Sequence, residues 1–163
     1  MRHSSAEASD GYQARSGDVY LAIYQPVDQE NKKAKKPENN MNEYQENLKI
    51  KMDKYVHSAY RLSSLFPKSE LFGSVSQLRR AALSVILNYI EGYARRRPLI
   101  RLNFLESSYG SLKESKYLLH FSLVEGYLKN SDYDLVCKLA GEIGAMLWRE
   151  INNLNNKIDK SKK

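Results

Sequence analysis

Apolar residues recur at steps of three and four through four successive stretches of this chain, and each stretch predicts an amphipathic helix. Between Asn42 and Phe66 the stripe is Leu48, Met52, Tyr55, Ala59, Leu62 and Phe66, with Lys49, Lys51, Asp53, Lys54 and Arg61 elsewhere around the helix. Pro67 ends it, because the residue before a proline is pushed out of the helical region. Ser74 or Ser76 is placed to cap a second helix running to about Arg96. Its stripe is Val75, Leu78, Ala82, Val85 and Tyr89, and Leu83, Ile86, Leu87 and Ile90 widen it over most of the circumference. A helix apolar on nearly all sides must be covered on nearly all sides, which is a first hint of self-association.

Pro98 suits the first turn of a third helix, where its missing N–H is no loss. That helix is predicted to reach about Val124, with Leu102, Leu105, Tyr109, Leu112, Leu119 and Leu123 facing the core. Ser107, Ser108, Gly110, Ser111 and Ser115 keep other parts of it thin enough for a neighbouring helix to approach closely. Gly126 is the expected C-terminal cap. Ser131 is the expected cap of a fourth helix, whose stripe is Leu135, Leu139, Ile143, Leu147, Ile151, Leu154 and Ile158. Short connections make successive helices antiparallel neighbours, so the expected fold is all-α, an antiparallel up-down-up-down four-helix bundle over residues 41–163.

Residues 1–40 read differently. They are rich in Ser, Gln, Asn, Lys and Glu, end in the polar tract QENKKAKKPENN, and hold only VYLAIY as an apolar run. So little apolar surface cannot offset the entropy of ordering, and a disordered leader is expected. Met41 is read as the natural start, with the leader as an extension.

Charge adds to this division. The net +7 lies wholly in residues 41–163, because residues 1–40 carry six Lys/Arg against six Asp/Glu. A basic excess of this kind argues for acidic partners. The absence of a long apolar run and of an apolar signal core leads to the expectation of a soluble, cytoplasmic protein with no membrane partner.

Catalytic chemistry has little to stand on. Di-metal bundle sites need Glu-x-x-His pairs facing inward, and none occurs; His57 and His120 stand alone, and His3 lies in the leader. Cys137 has no histidine near it in sequence and reads as a small packed thiol. The glycines of the helical segment, Gly73, Gly92, Gly110, Gly126, Gly141 and Gly144, stand singly and make no phosphate loop. No enzyme, cofactor or metal is expected.

The candidate nucleic-acid-binding residues are Arg79 and Arg80, early in the second helix, and Arg95, Arg96, Arg97 and Arg101, around its junction with the third. Guanidinium groups present planar paired donors that suit phosphate. The competing reading of Arg95 to Arg97 is neutralisation of the helix's negative end. For Arg79 and Arg80 an ion pair at a subunit contact is slightly favoured. Asn88 and Glu91 interrupt the most apolar helix and are read as a buried polar network fixing packing register rather than as catalytic groups. Tyr89, Tyr93 and Tyr109 could stack on bases, though stripe positions favour core packing.

The run LFPKSELFGSVSQLRRAALSVILNYIEGYARR, followed by FLESSYGSLKESKYLL, resembles the bacterial four-helix-bundle proteins encoded in intervening sequences of large-subunit ribosomal RNA genes. That family includes the accessory variability determinant proteins of diversity-generating retroelements. The matching positions are Phe66-Pro67, Gln77 to Ala82, Asn88 with Glu91-Gly92, Arg95 to Arg97, and Ser107 to Glu114, within about residues 45–155. Leu87 departs from the family's usual Pro or Ala. The resemblance implies a homopentameric barrel of bundles and, for the retroelement branch, binding of a reverse transcriptase and of nucleic acid, RNA or RNA/DNA. A basic, non-enzymatic homo-oligomeric scaffold is therefore expected; the alternative is a structural or protein–protein interaction bundle with no nucleic-acid role.

Overall fold

Four α-helices carry the fold in a computed structural model that describes residues 43–161. They are α1 (Glu43–Ser63), α2 (Ser74–Ala94), α3 (Pro98–Val124) and α4 (Asn130–Lys160), with a 3-10 turn at Lys68–Glu70 and no strand among the described residues. The disordered leader expected over residues 1–40, and the start at Met41, lie outside the described residues. α3 packs along α2 and α4, and α1 along the same two helices, so that the four close around one core.

The core follows the sequence stripes closely in α1 and α2. Leu48, Met52, Tyr55 and Ala59 of α1 meet Leu78, Ala82, Val85 and Tyr89 of α2, all sealed from solvent. Burying each of the Leu, Met and Val side chains contributes roughly 1.5–3 kcal/mol relative to exposure. In α3 the seam is Leu102, Leu105, Ser108, Leu112, Ser115, Leu119 and Ser122, so the serines lie inside the core stripe rather than beside it. Their hydroxyls are satisfied: Ser108 donates to the Val85 carbonyl at 2.6 Å, Ser122 to Leu118 at 2.7 Å, and Ser115 to Leu112 at 3.1 Å while meeting the Tyr55 hydroxyl at 2.9 Å. Burial pushes Tyr55 up to about 12, which keeps this hydroxyl protonated.

The start of α4 corrects the sequence reading. Leu135 is 75% exposed and Val136 and Ala140 are the buried positions there, while Leu139 packs against the core only partly buried. Farther along, Ile143, Leu147 and Ile151 return to the predicted stripe. Both stripes have helical spacing at the N-terminal end, and bulk alone favoured the wrong one.

The caps also differ. Neither Ser74 nor Ser131 acts as an N-cap; the N-cap positions are Gly73 and Lys129, without side-chain capping bonds. At α2 the Glu70 carboxylate accepts from both the Ser74 N–H (3.1 Å) and its hydroxyl (2.7 Å), meeting one of the orphan donors of the first turn. Those two bonds hold the Glu70 carboxyl below its ordinary value. Gly126 caps α3 as expected. Its φ of +75° is the left-handed conformation, and the Tyr127 N–H returns to Ser122 at 2.8 Å while its own N–H returns to Leu123 at 3.0 Å.

Candidate nucleic-acid interface

The α2–α3 connection is three residues long, and all three are arginines. Arg95 and Arg97 are extended, with ψ of 128° and 124°, and Pro98 opens α3 at its first turn. Gly92 makes the tight turn workable. A Cβ there would lie 3.1 Å from the Phe104 Cβ and 3.4 Å from the Arg101 carbonyl oxygen. Gly92→Val is therefore expected to cost about 2 kcal/mol, because the start of α3 must move to admit it. A urea unfolding midpoint equal to that of the parent protein would show that this contact is looser than drawn.

The six predicted arginines do not form one site. Arg79 donates from Nε to the Ser63 hydroxyl at 2.8 Å and lies 5.2 Å over the Tyr60 ring, so it ties α2 to α1. Arg80 is exposed and bonded to Gln77. About 24 Å of helix, at 1.5 Å per residue, separates Arg79 from Arg95. Arg95 pairs with Glu91 on the surface and lies 5.0 Å over the Phe104 ring. Arg96 and Arg97 are exposed, and neither has a carboxylate within 4 Å among the described residues. Arg95 is thus held by the Glu91 carboxylate and the Phe104 ring, while Arg96 and Arg97 make no ion pair among the described residues.

The expected Asn88–Glu91 network is absent from the single chain. Asn88 donates back to the Ser84 carbonyl at 2.9 Å, and Glu91 is spent on Arg95. Glu91 is exposed, and Asn88 is half-buried at the flank of α2 with its amide turned back on its own helix. The buried polar network of this region is centred instead on Glu150 of α4, 9% exposed. Tyr89 donates to one of its carboxylate oxygens at 3.0 Å and Tyr93 to the other at 2.5 Å, while Gln45 donates to the Tyr93 hydroxyl at 2.6 Å. Burial pushes the Glu150 carboxyl above its ordinary value, against the pull of the two tyrosine bonds and the Arg101 charge. The same burial raises Tyr89 and Tyr93, so both remain donors at neutral pH. Sequence reading missed Glu150 although its spacing marked it: it stands three residues after Leu147 and seven after Ile143, on the core stripe.

A cleft of about 340 Å³ opens beside this network, between the start of α1, the α2–α3 junction and the last third of α4. Arg101, Arg149 and Lys157 line it along with Tyr44, Tyr93, Glu150 and Asn153. Arg101 lies 5.2 Å over the Tyr93 ring and donates from Nη2 to the Arg95 carbonyl at 3.2 Å. Its Nε is buried with no hydrogen-bond partner. Arg149 lies 5.5 Å over the Tyr44 ring, whose hydroxyl donates to the Met146 carbonyl at 2.9 Å. Among the described residues no three His, Cys, Asp or Glu side chains gather as a metal site requires, and no helix is long and apolar enough to cross a membrane.

Comparison with known proteins agrees with this architecture. Residues 45–149 match the family model for the 23S rRNA-intervening sequence protein. A crystal structure of a protein of unknown function from the S23 ribosomal protein family of Bacteroides thetaiotaomicron superposes with a TM-score of 0.60 at 19% identity, covering 64% of this chain and 97% of that one. At that identity the likeness speaks for the fold alone. No curated protein matches the chain.

Proposed function

This chain belongs to the 23S rRNA-intervening sequence protein family, and from that premise we propose that it is a basic scaffold without catalysis of its own, which assembles from copies of itself and binds RNA. The observation that carries the reading is the arginine connection between α2 and α3. Two exposed guanidinium groups, Arg96 and Arg97, stand there without ion partners, and a phosphate backbone is a natural counter-ion for such groups.

Self-assembly has its own support. Leu83, Leu87 and Ile90 recur along the outer face of α2 and are 37%, 53% and 43% exposed in the single chain. A stripe of this kind on one helix face fits contact with further copies. A homopentamer of antiparallel up-down-up-down bundles accommodates it, and would multiply the basic charge fivefold. The antiparallel order is supported by the cross-helix pairs: Tyr44 meets Met146 while Lys51 meets Glu142, and Val85 meets Ser108 while Gly92 adjoins Phe104. In the retroelement branch of the family resemblance, a reverse transcriptase would be a further partner.

The test is double charge reversal, Arg96→Glu with Arg97→Glu, read by fluorescence anisotropy on a structured RNA across a salt series. Affinity at low salt is expected to fall by at least about tenfold, and the slope of log affinity against log salt to flatten by about one to two, because two phosphate contacts are lost. Light scattering should show the particle unchanged in mass. RNA binding that survives the reversal intact would overturn this assignment and favour the protein-interaction bundle, whose charge serves solubility.

A further inference from the structure

We propose that the cleft beside Glu150 is a binding site for a phosphate monoester, presented either by a free nucleoside monophosphate or by the phosphorylated end of an RNA strand. The RNA source rests on the nucleic-acid reading above; the free nucleotide does not.

The geometry argues from how the charges are partnered. Arg101, Arg149 and Lys157 surround the cleft. The obvious internal counter-ion, Glu150, is already engaged, with one carboxylate oxygen taken by Tyr89 and the other by Tyr93. None of the three cations lies within 4 Å of a carboxylate among the described residues. The tyrosines thus occupy both carboxylate oxygens of Glu150, which acts on Arg101 only as a longer-range charge, and the three cations lining the cleft make no close ion pair. Arg101 is the most constrained of them. Its guanidinium is stacked on Tyr93 and anchored to the Arg95 carbonyl, and its buried Nε lacks an acceptor.

Size and lining narrow the ligand. The cleft's roughly 340 Å³ falls at the small end of small-molecule sites. A bare phosphate would leave much of it empty, whereas a nucleoside monophosphate brings a sugar and base of suitable bulk. Leu105 and Leu154 supply an apolar wall, and Asn153 an amide that can both donate and accept. Three cations against one carboxylate favour a dianionic monoester over a backbone diester, which carries a single negative charge.

The test uses the full chain in two arms. In the first, calorimetry compares adenosine 5′-monophosphate with adenosine. In the second, a short RNA with a 5′-phosphate is compared with the same RNA carrying a 5′-hydroxyl. Phosphate-dependent binding in either arm supports the site, and the arm that responds identifies the source. Arg101→Gln and Arg149→Gln are each expected to weaken that binding by about tenfold or more, with the exposed, distant Lys138→Gln as an unaffected control. Arg149 is exposed, so its variant tests the site even where loss of Arg101 disturbs folding. No phosphate preference in either arm, or Arg149→Gln binding as tightly as the parent, would overturn the proposal. RNA that binds strongly through Arg96 and Arg97 yet ignores its 5′ end would overturn this inference alone. Nucleotide binding without RNA binding would support it and overturn the scaffold reading instead.

Discussion

Glu150→Ala is expected to lower stability by about 3 kcal/mol, while Glu150→Gln stays within about 1 kcal/mol of the parent protein at neutral pH. The alanine leaves the Tyr89 and Tyr93 hydroxyls without an acceptor in a buried site, each worth roughly 1–3 kcal/mol, and relief of the desolvated charge offsets only part of that. Glutamine keeps one acceptor and the volume, and it removes the charge. The sign of the pH dependence follows from the raised carboxyl. Because the folded chain holds this proton more tightly than the unfolded chain does, its contribution to stability is fully present below the ordinary value of 4.5. That contribution is lost as pH rises from there through the folded-state value. Urea unfolding of the parent across that window should therefore fall relative to the glutamine variant, whose group does not titrate. Parallel curves for the two proteins, or an alanine variant as stable as the parent, would mean that the Tyr–Glu–Tyr cluster is wetter and looser than its geometry indicates.

If the copies assemble as proposed, Leu83→Glu combined with Leu87→Glu is expected to reduce the particle from the proposed pentamer to a single chain in light scattering coupled to size exclusion. Both side chains are substantially exposed in the isolated bundle, so the fold should tolerate the change within about 0.5 kcal/mol and helical content should persist. Burying two carboxylates in an apolar contact between subunits would be prohibitive. A double variant that keeps the mass of an assembled parent would remove this face of α2 from the contact. A parent protein that already runs as one chain would remove the assembly itself.

The four helices were legible because their stripes are long and periodic, and burial of one face per helix leaves little freedom in where they start and stop. What failed was finer. At the start of α4 two stripes compete, Leu135–Leu139 and Val136–Ala140, and the choice depends on how α4 rotates against α1 and α3, which no local pattern encodes. The caps failed for a related reason. Ser74 has the right chemistry, but the helix starts at Ser74 with Gly73 as its N-cap, and the Ser74 N–H and hydroxyl both donate to Glu70. Among the candidate site residues, Arg96 and Arg97 could be found from sequence because adjacency alone defines them. The separation of Arg79 from the others was legible too, since helical rise fixes it. The cleft was not. It joins Tyr44, Tyr93, Arg101 and Arg149 from four helices, and Glu150 was passed over because a carboxylate on a core stripe looks like an exception until its two tyrosine donors are seen across the bundle.

The three-residue connection between α2 and α3 has a consequence for how any polyanion would experience it. Most basic segments that meet nucleic acid through a loose tail must surrender backbone freedom on contact, at about 1–2 kcal/mol for each residue fixed. Here the Arg95 N–H is bonded to the Gly92 carbonyl, Pro98 fixes the exit, and both flanking helices are anchored in the core. The backbone under Arg96 and Arg97 has already undergone that ordering during folding, so only side-chain rotamers remain to be restricted when they close on a phosphate. The chain presents its free charge as a preorganised clasp, and the entropy that a flexible arm would lose on contact was lost when the bundle folded.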